Sequence, residues 1–351
     1  MNQNDQKIVS TSGRIAGRDL IAAAVYYLIN ILLFPITLIG YVLMSVSFFA
    51  GRKSAVSGTA LSPLTGRWLL HNFGTRQDEP ANRLMMAIAG SSVSLTLGPM
   101  IFAHQVSGYL PKDYRYPFQG KISLGNQGFA RQTLYDRAVE TYLPELPQFV
   151  ILGAGFDTRA LRLKGMPKYA SVRSFKIDTP PTLAFKRERL ARAGIDASAL
   201  PAVAPVTFVP ADFEKDDWLT KLIDAGFNPS QPALFIWEGV VPYLDREAVK
   251  DTLRKIASTV KGSVVAFDYF TSEVLESQAL SMRSVRASLA AGGEPLKFGV
   301  DSTPPSRERL AELLQSCGLT LIEQQTLGEE TVAAGQPQKR AWGGFATASV
   351  N

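Results

Sequence analysis

Residues 148–163, QFVILGAGFDTRALRL, run from an apolar stretch through a pair of glycines into a helical pattern. Phe149, Val150, Ile151 and Leu152 form a short run bounded by breakers, which reads as a buried strand, and Gly153-Ala154-Gly155 ends it. Strand, tight turn, helix is the opening of a βαβ unit. Two glycines one residue apart let the backbone approach a ligand closely, and the next helix points its positive end at that place. A nucleotide-like cofactor suits it. A dinucleotide fingerprint needs a third glycine three positions beyond Gly155, where Thr158 stands. That weakens hydride transfer from NAD(P) and favours the other user of such a loop, an S-adenosylmethionine-dependent methyltransferase, whose cofactor carries no pyrophosphate.

Downstream the chain alternates strand and helix. SVRSFKID ends at Asp178, about 20 residues past the glycine turn, where an acid can accept hydrogen bonds from two ribose hydroxyls or simply cap the helix opened by Pro180-Pro181. That helix is expected to carry Lys186, Arg187, Glu188 and Arg189 on its solvent side. VTFVPADFEK closes a third strand on Asp212 and Phe213, and PALFIWEGVVPYL a fourth on Glu238-Gly239. SVVAFDYF is the fifth, ending near Asp268 and Tyr269, while LTLIEQQ and AWGGFATASV give an antiparallel finish. Alternation over about 200 residues predicts an α/β fold with a doubly wound, mostly parallel sheet, Rossmann-like in kind.

The wording of these strand ends is more specific than their spacing. GAGFDTRALRL, FKIDTP, ADFE and WEGVVPYL together resemble the leucine carboxyl methyltransferase-like family, which includes polyketide O-methyltransferases, and the likeness extends over most of residues 55 to 350. The resemblance implies S-adenosyl-L-methionine as cofactor. It implies that Gly153, Ala154, Gly155 and Asp157 form the loop beside the amino acid portion, that Arg131 of an Arg-x-x-x-x-Asp motif with Asp136 reaches the cofactor carboxylate, and that Asp178 takes the ribose. It further implies that Asp212 accepts from the adenine amino group while Phe213 packs on the ring, and that Glu238 orients the ammonium or the acceptor. The family has Glu-Gly or Glu-Cys followed by a Tyr-Leu pair; here Val241-Pro242 stands before Tyr243-Leu244, from which an altered lip of the pocket is expected. By spacing alone Arg131 is no better a candidate than Arg137.

Composition excludes several classes. Thirty-seven basic against 31 acidic residues leave +6 without a block of like charge, so no nucleic acid is expected. One cysteine, Cys317, and two histidines, His71 and His104, argue against a disulfide framework or a metal centre. Near the N-terminus, Leu20 to Ala50 runs for about 31 residues without a carboxylate, amine or guanidinium side chain, beyond the roughly 20 that cross a bilayer. It reads as a membrane segment, either one tilted span or a hairpin turning at Pro35, with Arg14 and Arg18 before it and Arg52 and Lys53 after. A second uncharged run, Leu84 to Ala103, is broken by glycine, serine and proline and reads as a helical cap, with a second span as the alternative.

The expected layout is a polar, loose tail at 1–18, a membrane anchor at 19–52, a helical cap or lid at 53–128 and a methyltransferase domain at 129–351 with a lid insertion near 271–303. The expected activity is O-methylation of a carboxylate or hydroxyl on a lipophilic small molecule at the membrane, with the catalytic domain facing the cytoplasm. Methyl transfer needs an in-line sulfonium and exclusion of water; a hydroxyl acceptor also needs a base, for which Tyr243, Asp268 and His104 are weak candidates. An NAD(P)-dependent oxidoreductase and a catalytically silent membrane-anchored binding protein are the alternatives.

Overall fold

The computed structural model describes residues 3–51, 60–123, 125–164, 166–195, 206–332 and 339–351. The basic pair Arg52 and Lys53 lies outside the described residues. The chain divides into two compact units, Met1–Ser54 with Arg67–Gln119, and Ala55–Gly66 with Gly120–Asn351.

The first unit is helical. α1 (Gln3–Leu32) begins where a loose polar tail is expected, because a helix once nucleated by its apolar half propagates at little cost through polar residues. It ends at Leu32, and α2 (Phe34–Gly51) restarts with Pro35 as its second residue, whose ring and missing N–H break the ladder. Among the described residues no single helix is long and apolar enough to cross a membrane; Gly17–Leu32 and Phe34–Val46 meet that test only as a pair bent by 57°. By length and composition such a bent pair is either a broken span or a re-entrant loop. Asn30 is accommodated by its own helix, donating to the Tyr26 carbonyl at 2.8 Å.

The second uncharged run is two helices. α3 (Leu61–Asn72) precedes it, and Gly90, at φ +56°, separates α4 (Glu79–Ala89) from α5 (Ser91–Ser107). α5 packs along both α1 and α2. Gly40 of α2 lies so close to α5 that an added Cβ would collide with the Thr96 backbone. The polar residues that argued against insertion are spent locally: Ser92 Oγ donates to the Ala89 carbonyl at 2.6 Å and Thr96 Oγ1 to that of Ser92 at 2.7 Å. Leu20, Ile31, Leu32, Phe34, Ile39 and Val46 are exposed large apolar side chains on α1 and α2.

The second unit carries the sheet. After α6 (Gln127–Tyr142) come β1 (Gln148–Leu152), α7 (Arg159–Lys164), β2 (Arg173–Asp178), α8 (Pro180–Arg192), β3 (Val206–Pro210), α9 (Trp218–Asp224), β4 (Ala233–Trp237), α10 (Arg246–Ala257) and β5 (Val264–Phe270). α11 (Ser272–Glu276), α12 (Leu280–Ala291) and α13 (Ser306–Gln315) lead to β6 (Leu319–Leu327) and β7 (Gly343–Val350). The order is β3-β2-β1-β4-β5-β7-β6, with β1 to β5 parallel and β7 antiparallel to both its neighbours. β1 and β4 are buried along their whole length, as strands covered on both faces must be. Leu152 sits beside Ile177 on one side and Trp237 on the other. The order reverses there, so the carboxyl ends of β1, β2 and β4 open one crevice at the topological switch point.

Candidate functional site

The glycine turn after β1 has its expected backbone. Gly153 and Gly155 adopt φ +62° and +37°, a region costly for any residue with a Cβ. A Cβ on Gly153 would strike Val240, and one on Gly155 would come within 3.2 Å of the Ala60 Cβ. The turn is pinned by Ala154 N–H donating to the Ile177 carbonyl at 2.8 Å. From behind, Lys186 Nζ donates to the Ala154 carbonyl at 3.2 Å and Lys176 Nζ to that of Asp157 at 2.7 Å. Both lysines are fully buried, so Lys186 is not on the solvent side of α8 as its neighbours suggested. A buried ammonium must be paired, and the turn supplies its partners.

The Gly155 amide of this turn is already engaged by an acid. Asp178 Oδ2 accepts from Gly155 N–H at 2.6 Å and its Oδ1 from Thr179 N–H at 2.7 Å. Burial raises the Asp178 carboxyl above its ordinary value, against the opposite pull of those amides and of Lys186. α7 is only six residues long, and Asp157 Oδ1 takes the Arg159 N–H at 2.7 Å. The helix expected to aim its positive end at a ligand is six residues long, and its first amide faces the protein's own carboxylate.

Arg131, on α6, comes to the end of the sheet. Its Nη2 lies 3.4 Å from Asp268 Oδ2 and its Nε 4.0 Å from Glu238 Oε1. Nε is buried with no hydrogen-bond partner. Burial alone would lower its guanidinium; Asp268 and Glu238 outweigh that and hold it above its ordinary value. Gly239, at φ +69°, leaves room for it, since a Cβ there would come within 3.0 Å of Arg131 Nη1. Arg137, the rival by spacing, is on the surface with Glu323 at 3.1 Å.

Glu238 is held by Arg159, whose Nη1 donates to it and to Asp157. Asp268 accepts from the Tyr135 hydroxyl at 2.6 Å and from Gly239 N–H at 2.7 Å. Burial, then Asp268 and Glu238, raise the Tyr135 phenol well above its ordinary value, so it remains a donor. Tyr243 is half-buried in the turn Val241–Tyr243. Asp212 lies at a turn with Lys215 Nζ at 2.8 Å and Glu214 N–H at 3.0 Å; partial burial opposes them, yet they hold its carboxyl below its ordinary value. Phe213 packs inward against Trp218 and Trp237, with ring centroids 6.1 and 6.5 Å away. His104 belongs to the helical unit, where its Nδ1 lies 3.0 Å from the Tyr109 carbonyl and must carry the proton to bond it.

Thus Arg131, Gly153, Ala154, Gly155, Asp157, Asp178, Glu238 and Asp268 gather around the crevice within one unit. Sequence reading missed Arg159, Gln132, Tyr135, Lys176 and Lys186. One signal was available: Lys176 interrupts the buried run of β2, and a charge there needs a partner.

Residues 118–257 match the model of the leucine carboxyl methyltransferase family. The matched segment includes α6, β1 to β4 and every crevice residue just named except Asp268. A protein of Frankia alni, whose name assigns it provisionally to the S-adenosyl-L-methionine-dependent methyltransferases, is 32% identical over 193 residues, covering 54% of this chain and 61% of its own. A relative in Mycolicibacterium smegmatis, named in the same way, is 33% identical over 201 residues, covering 55% and 60%. The chain thus spans about three fifths of the length of these relatives. A DUF574-family protein of Streptomyces avermitilis superposes with a TM-score of 0.47 at 15% identity, covering 85% of this chain and 99% of the other.

Proposed function

We propose that the chain is an S-adenosyl-L-methionine-dependent methyltransferase acting on an oxygen of a lipophilic small molecule at a membrane surface. The observation that carries the reading is Arg131, a charged, buried guanidinium with an unsatisfied Nε beside Glu238 and Asp268 at the ends of β4 and β5. Guanidinium matches a carboxylate fork, and the amino acid portion of this cofactor supplies one. Gly153 and Gly155 would border that portion, Glu238 would accept from its ammonium, and Asp178 would accept from the ribose with lone pairs beyond the two already engaged. When bound, the cofactor supplies a methyl group activated on a sulfonium.

The residues around it favour an acceptor that arrives ionised. Glu238 and Asp268 are committed to Arg159, Tyr135 and Gly239, and the Tyr135 phenol stays protonated. A carboxylate oxygen needs no base, so it is the favoured nucleophile. The dinucleotide reading is disfavoured because Asp178 and Asp157 already take the Gly155 and Arg159 amides, and a pyrophosphate there would meet two carboxylates. The membrane part of the reading rests on the many large apolar side chains that α1 and α2 leave exposed.

Calorimetry on the full chain in detergent tests it. S-adenosylhomocysteine is expected to bind and NAD not to, and label from methyl-labelled S-adenosylmethionine is expected in the organic phase of a lipid extract as a base-labile ester. Binding of NAD alone would overturn the assignment.

A further inference from the structure

Arg159 holds partners on three sides of the crevice, and the transfer reaction itself assigns it no task. Its side chain is fully buried. Nη1 donates to Asp157, beside the glycine turn, and to Glu238, at the end of β4. Nη2 donates to Gln132 Oε1 at 3.2 Å, and Nε stands 3.5 Å from Asp136 Oδ1, both on α6. The flat face lies 5.0 Å from the centre of the Tyr135 ring, whose hydroxyl holds Asp268. One side chain thereby joins the three elements that border the crevice: the turn, the β4 end and the helix that bears Arg131.

We propose that Arg159 is a positioning residue for cofactor binding, which locks α6 to the glycine turn and keeps Glu238 in place and ionised beside Asp157 and Asp136. This inference rests on the methyltransferase reading. Three carboxylates gathered around one point repel each other, and buried groups in that position take up protons. Burial disfavours the guanidinium, but Glu238, Asp157 and Asp136 more than offset it and hold it above its ordinary value, so it stays charged throughout the working range of pH. Lysine at this position would restore the charge without the planar fork that reaches three partners at once.

The role separates from a purely structural one by its pH signature. S-adenosylhomocysteine affinity is measured by calorimetry between pH 6 and 8.5 for the wild type, Arg159→Met and Arg159→Lys, with circular dichroism to verify folding. The wild type is expected to be nearly flat across this range. Arg159→Met should bind more weakly at every pH and lose roughly a further tenfold on going from pH 8.5 to 6, as Glu238 takes up a proton and ceases to accept from the ligand ammonium. Arg159→Lys should be flat again, though weaker than the wild type. If Arg159→Met does not fold, the double variant Arg159→Met/Glu238→Gln decides: with one of the three crowded carboxylates made neutral it should fold and bind weakly without a slope, and a slope that survives in it overturns the inference. Arg159→Met with wild-type affinity and profile also overturns it, and leaves the methyltransferase reading standing. A wild type that binds no S-adenosylhomocysteine takes down both.

Discussion

Asp178 sets Oδ2 on the backbone N–H of Gly155 at 2.6 Å, so the acid that ends β2 is itself the anion of the glycine turn. Burial raises its carboxyl, against the pull of the Gly155 and Thr179 amides. An acid raised in the folded state contributes stability that is present below its unfolded value and lost as pH climbs through its folded one. Ionised Asp178 therefore costs stability near neutrality. Asp178→Asn is expected to melt at the same temperature as the wild type or higher at pH 7, with a flatter profile above about pH 4, while S-adenosylhomocysteine binding weakens by about 1–3 kcal/mol. Scanning calorimetry and titration check the two halves; lost stability with full affinity would make Asp178 a purely structural residue.

Arg131 and Arg137 lie on one helix and give a matched pair of tests. Arg131→Met should cost about 1.5–3 kcal/mol of ligand affinity, the value of a charge-assisted hydrogen bond. Arg137→Met removes an exposed pair with Glu323 and should change affinity not at all and stability by less than about 1 kcal/mol. Equal losses at both sites would remove Arg131 from the crevice.

Gly153→Ala places a methyl group against Val240 at φ +62°. Overpacking should cost about 1–3 kcal/mol, with about 1–2 kcal/mol more from the left-handed backbone. Adding Val240→Ala should recover the first part and leave the second, which chemical denaturation of the single and double variants can resolve.

Replacing Leu32, Ile39 and Val46 together by serine removes exposed apolar surface from α1 and α2 without touching the α5 contact at Gly40. Flotation with phosphatidylcholine vesicles should show the wild type rising with lipid and the triple variant left behind, with unchanged circular dichroism. A variant that still floats would place membrane contact elsewhere. Deleting α1 and α2 outright is a poorer test, because α5 packs along both and would be uncovered.

The ends of β1, β2 and β4 were legible because each is closed by glycine or an acid, and a strand's carboxyl end is fixed by where its residue pattern stops. Leu152, Asp178 and Trp237 end their strands where the residue pattern changes. Lys186 was misplaced because three charged neighbours on its helix suggested a wet face, whereas its ammonium reaches back to a carbonyl on another element. Phe213, expected to pack on a ligand ring, has Trp218 and Trp237 as its ring neighbours within the protein. Burial of a charge or an aromatic depends on what lies opposite it, which local pattern does not contain.

By itself the sequence determined the alternation of strand and helix, the two-glycine turn, the acids at the strand ends and the uncharged N-terminal run, since these follow from periodicity and backbone freedom over neighbouring residues. Only the tertiary structure decided that Arg159 ties Glu238 to Asp157 and α6, that Asp268 is taken by Tyr135 and Gly239, and that the N-terminal run bends at Leu33 against α5. The reason is physical: a buried charge is stable only beside its counter-charge, and Glu238 lies 79 residues along the chain from Arg159.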